Sequence, residues 1–123
     1  MATVSQPVVL SWTLHAQAKM GFYKLSQARV RRVLHSPTRV EEGVAPRTIA
    51  MMQPASVKAQ GGRAGSKKEE RWMQEIWVMV QDKGRERKVI SAWRYPGVTK
   101  PRDAAAIALM RKEYAEFVSK GAE

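Results

Sequence analysis

Between Trp72 and Gln81 the chain is almost continuously apolar, with Ile76, Trp77, Val78, Met79 and Val80 in succession. A short run rich in branched and aromatic residues, bounded by polar ones, predicts a strand. Asp82-Lys83-Gly84-Arg85 reads as a turn, and Lys88 to Trp93 as the returning strand of a hairpin. On that strand Val89, Ser91 and Trp93 face one way, and Ile90 and Ala92 the other.

Upstream, residues 1–7 form a lead-in ending at Pro7, and Val8 to Thr13 is a short apolar stretch predicted as the first strand. Leu14, Ala18 and Phe22, with Leu25 beyond, repeat at helical spacing. A second helix opens at Ser26, whose hydroxyl suits an N-cap. Val30, Val33 and Leu34 form its inward stripe, and Pro37 ends it by Ser36. Arg39 to Val44 and Arg47 to Met52 are two short strand candidates around Gly43–Pro46. From Gln53 to Glu70 the chain is polar, with Pro54, Gly61, Gly62, Gly65 and a Lys67-Lys68-Glu69-Glu70 block, which predicts a flexible basic loop. A last helix spans about Asp103 to Val118, with Asp103 as N-cap and Ile107, Met110, Tyr114, Phe117 and Val118 on one face. The order β-α-α-β-β-β-β-α predicts an α+β domain. Two N-terminal helices and one C-terminal helix are expected to pack on one face of an antiparallel sheet. Residues 1–123 read as a single domain.

Charge narrows the class of partner. The first forty residues hold six Lys and Arg and no carboxylate; the first acid is Glu41. The whole chain has 22 Lys and Arg against 11 Asp and Glu, a net charge of +11. Such an imbalance suits a polyanion, and nucleic acid is the commonest. Cysteine is absent, which removes thiolate metal sites, disulfides and a cysteine nucleophile. There is no HExxH, no Cys–His cluster and no paired-carboxylate constellation, so no metal and no cofactor is expected. The amino terminus does not read as a signal peptide and no stretch is long enough to span a bilayer, so a soluble cytoplasmic protein with no membrane partner is expected.

Several short motifs carry a resemblance. Thr13-Leu14-His15-Ala16 is followed by Lys19-Met20, then by Leu25-Ser26 at a helix entry and Ser36-Pro37 at its end. Arg39-Val40-Glu41-Glu42-Gly43 comes next, and the closing strand reads Val89-Ile90-Ser91-Ala92-Trp93-Arg94. Over roughly residues 12–95 this pattern resembles a family of small uncharacterised bacterial proteins allied to the RelE/BrnT-type toxins. The family often has Arg where Lys19 stands and an Arg-Gly pair where this chain has Tyr23-Lys24; the 53–70 segment lengthens a usually short connection. The resemblance implies a RelE/BrnT-like fold. It also implies metal-independent cleavage of RNA by basic residues, Arg94 at a position where such proteins place functional side chains, and an acidic antitoxin as partner.

The candidate residues each carry two readings. An imidazole can give and take protons near neutral pH, so His15 is an acid–base candidate, or a histidine that orders the first helix turn. Arg94 would stabilise the charge that develops on the phosphate oxygens, or simply end a strand. Lys19, Arg29, Arg31 and Arg32 are candidate phosphate ligands; the alternative is a solvated basic face opposite the Val30–Val33–Leu34 stripe. Lys67 and Lys68 form either an arm that folds onto nucleic acid or a solvated linker. Trp72, Trp77 and Trp93 could stack on splayed bases, although Trp77 reads as core. The expectation is a basic RNA-binding protein, a ribonuclease toxin in one form of that reading. The alternatives are a non-catalytic module for nucleic acid or an acidic protein, and a basic protein whose charge serves solubility or assembly.

Overall fold

A computed structural model describes residues 8–56, 58–60 and 69–121; the lead-in over 1–7 and the basic pair Lys67 and Lys68 lie outside them. The chain opens with strand β1 (Val9–Trp12) and turns into helix α1 (Leu14–Tyr23) at Thr13. The Thr13 hydroxyl accepts the Ala16 N–H at 3.0 Å and donates to Val89 O at 2.9 Å, so one side chain caps the helix and ties it to the sheet. Lys24 closes α1 in the left-handed conformation, φ 57°, its N–H pointing back to Gly21 and Met20 carbonyls. Helix α2 (Gln27–His35) begins as expected at Ser26, whose hydroxyl accepts the Arg29 N–H at 3.0 Å.

Strands β2 (Arg39–Glu42) and β3 (Thr48–Pro54) follow. Within the segment read as a loop, β4 (Lys58–Gln60) and β5 (Glu69–Arg71) pair antiparallel in a separate two-stranded ladder. The central hairpin, β6 (Glu75–Lys83) and β7 (Glu86–Tyr95), turns at Gly84, which takes φ 59°. Helix α3 (Ala104–Ser119) closes the chain, capped by the Asp103 carboxylate on Ala105 N–H at 2.9 Å.

The main sheet has the order β1-β7-β6-β3-β2. The α+β class and the succession of helices and strands agree with the sequence reading, while the coverage of the sheet differs from it in two respects. First, the sheet is mixed: β1 runs parallel to β7, because α1 and α2 leave β1 before the antiparallel strands begin. Secondly, the helices occupy both faces. Ile76, Val78, Val80, Val89, Ala92 and Met51 pack with Ala16, Met20, Val30 and Val33 of α1 and α2. Trp77, Met79, Ile90, Trp93, Ala50 and Met52 pack on the other face with Ala106, Met110 and Phe117 of α3. The continuous apolar run of β6 is the cause, since alternate residues point to opposite faces and both sets need cover. A bulge in β7 adjusts the register, with Met79 opposite Ser91 and Val80 opposite Val89, so Ile90 and Ser91 both serve the α3 side.

Helix α1 occupies a third position. Strand β1 covers only Glu86 to Val89 of β7. Beyond it α1 runs along β7, tied by Thr13 to Val89 and by Tyr23, whose carbonyl accepts from Arg94 Nε at 2.8 Å. From this edge α1 reaches toward both faces.

Candidate nucleic-acid interface

Two groups of polar side chains assemble around α1, one at each end. The first is built on one row of the sheet. Gln53, Ile76 and Arg94 lie opposite one another across β3, β6 and β7. Ile76 packs toward α1 and α2, so Gln53 and Arg94 project from that face as well. Arg29, in the first turns of α2, donates from Nη1 to Gln53 Oε1 at 2.6 Å and from Nη2 to Pro54 O at 3.2 Å. Arg94 donates from Nε to Tyr23 O at 2.8 Å and from Nη1 to Gln74 Oε1 at 3.1 Å.

Both guanidiniums are therefore fixed by neutral oxygens. Of the five N–H groups on each, two are engaged among the described residues, which leaves three per side chain to meet a ligand. Burial, then the positive charges of Arg32 and Arg94, hold Arg29 below the usual arginine range. Like charges have thus been brought together, and among the described residues no carboxylate is paired with Arg29 or Arg94. Arg32 is exposed one turn along α2. Arg31, also exposed, lies with its guanidinium carbon 5.5 Å from the centre of the Trp12 ring and flanks this group on the β1 side.

The second group is buried where α1 starts. His15 is 2 % exposed, and Glu113, 98 residues later on α3, accepts from its Nε2 at 2.9 Å. The Lys120 ammonium stands 3.3 Å from His15 Nδ1, so the ring donates at one nitrogen and accepts at the other. Glu113 Oε1 also accepts from the Ser91 hydroxyl at 2.5 Å, and Oε2 from Lys19 Nζ at 3.0 Å. Burial alone would raise the Glu113 carboxyl, but hydrogen bonds from Ser91, Lys19 and His15 outweigh it and leave the group below its ordinary range. Burial likewise works against the Lys19 charge, and Glu113 more than compensates, with Tyr23 and Glu116 adding to the rise.

This arrangement has the wrong order for nucleophile activation. A serine relay needs the histidine between hydroxyl and carboxylate, whereas here the carboxylate is the hub. His15, Glu113 and Glu116 bring ligand atoms within 4.8 Å of one another, the spacing of a cation site. Both Glu113 oxygens already hold donors, however, and the Lys19 ammonium stands where a metal charge would act.

The structure brings together Arg29, Arg32 and Arg94, and separately His15 and Lys19. The two residues expected to share catalysis attach to opposite ends of α1, separated by roughly 12 Å of rise along the helix. Trp77 and Trp93 are core residues, stacked with ring centres 6.2 Å apart and planes 4° from parallel. Trp72 is half-buried and donates to Glu75 Oε2 at 3.0 Å. Sequence reasoning passed over Gln53, Gln74 and Glu113, since nothing local marks a residue that positions a distant one. Phe22, one of the apolar residues whose spacing predicted the helix, is 75 % exposed. The better signal lay in the alternative helical face, His15-Ala16-Lys19-Met20-Tyr23, which is the face that packs.

No protein-family model, curated protein or solved structure matches the chain. Among the described residues no helix is long and apolar enough to cross a membrane.

Proposed function

We propose that this protein binds RNA through Arg29, Arg32 and Arg94 and leaves the RNA uncut. The observation that carries the reading is the Arg29–Arg94 pair, two guanidiniums oriented by neutral oxygens and without a paired carboxylate among the described residues. A phosphate supplies what the pair lacks, because its oxygens match the geometry of the fork and its charge relieves the repulsion. The regional absence of carboxylates before Glu41 extends the same field across α2. Binding without cleavage is supported by His15, whose ring is buried and engaged at both nitrogens far from Arg94. An acidic antitoxin-type protein would meet the same guanidiniums, and we propose such a partner as a competitor of RNA. RNA as ligand also implies a cytoplasmic role.

Anisotropy of a labelled RNA across a salt series, in EDTA, tests this. Wild-type binding should weaken linearly on a log–log plot, and Arg29→Ala/Arg32→Ala should flatten the slope by about 1.4 units, two lost contacts on a single strand. An unchanged slope would refute the assignment. Fragments ending in cyclic phosphate, lost in His15→Ala, would instead establish the ribonuclease reading.

A further inference from the structure

The guanidinium pair has apolar neighbours that a phosphate does not explain. Arg94 is held by the Tyr23 carbonyl and the Gln74 side chain. The residues immediately before these two are Phe22, 75 % exposed, and Met73, 84 % exposed. They are the most exposed large apolar side chains among the described residues, and each is the chain neighbour of a residue that holds Arg94. The Phe22 ring meets Tyr23 edge to face, with centres 4.8 Å apart. An aromatic face left open to water beside oriented arginines is the combination that unpaired nucleotides recognise, with the base on the ring and the phosphate on the forks. In a duplex each base is covered by its neighbours and has no face to offer Phe22.

We propose that the site takes an unpaired nucleotide of single-stranded RNA, its base stacked on Phe22 beside Met73 and its phosphate on Arg29 and Arg94. The inference rests on the RNA-binding reading above and adds to it the form of the RNA. Phe22 packs mainly against solvent, so its replacement leaves the core intact.

The test compares wild type, Phe22→Ala and Phe22→Trp on a labelled oligouridine, on an RNA duplex of equal length and on oligodeoxythymidine. Phe22→Ala should lose roughly five- to a hundredfold in affinity for oligouridine, the effect of one stacked base. Its duplex affinity and its salt slope should match wild type, since the phosphate contacts remain, and Phe22→Trp should keep the single-strand affinity. Oligouridine affinity unaltered by Phe22→Ala, in a protein whose slope still responds to Arg29→Ala/Arg32→Ala, would overturn the stacked base and leave RNA binding standing. An equal loss on the duplex would overturn single-strand selectivity, and tighter binding of oligodeoxythymidine would overturn the assignment to RNA. A wild type that binds none of the three would overturn both proposals together.

Discussion

Glu113 shows how one residue can decide the role of another. Its carboxylate receives Ser91, His15 and Lys19, three donors from β7 and α1, in a site with 2 % exposure. Removing its charge strands the Lys19 ammonium and the His15 ring at the junction of three elements. Glu113→Gln should cost about 3 kcal/mol, the lower end for a broken buried pair because Lys19 reaches solvent. Urea unfolding measures this directly. The pH dependence has a definite sign. With its folded value depressed, Glu113 contributes stability that is complete above the unfolded glutamate value of about 4.3 and lost as pH falls through the folded one. Glu113→Gln should therefore flatten the acid limb of the stability profile, and a variant with an unaltered acid limb would rule the mechanism out. His15 could be recognised from the sequence as a residue with chemistry to offer. Its partner could not, because a separation of 98 residues leaves no local trace of the pairing.

Elements were easier to recognise than their orientation. The apolar run of β6, the Ser26 and Asp103 caps and the Gly84 turn are local signals, and each marks a feature the structure contains. Orientation depends on what the other elements present. In α1 the evenly spaced Leu14 and Phe22 face outward, whereas the polar His15 and Lys19 turn in, because Glu113 gives them a partner and Ala16 and Met20 fill the core beside them. The distribution of helices follows the same rule: a strand apolar on both sides needs cover on both. At the α1–α2 junction, Lys24 holds a left-handed conformation that side chains disfavour by roughly 1–2 kcal/mol. Lys24→Gly should raise stability by about 1 kcal/mol, visible as a higher urea midpoint at unchanged slope. A lowered midpoint would mean that the Lys24 stem contributes packing beyond its conformational cost.

At the scale of the molecule, charge and stability are coupled. The net charge of +11 opposes compaction, and the crowded guanidiniums concentrate that opposition at one rim. A ligand that binds only the folded state should raise the melting temperature with concentration. Oligouridine is expected to do so at low salt and to lose the effect as salt rises; scanning calorimetry of the mixture would reveal it, and a salt-independent rise would argue against phosphate contacts. The parallel pairing of β1 with β7 has a further consequence, in time rather than in space. Protein synthesis delivers α2 early and β7 late. Until the last strand is made, β1 has no partner and Arg94 has not joined Arg29 and Arg32. On the proposed reading, the growing chain leaves the ribosome alongside its own message before its three arginines stand together.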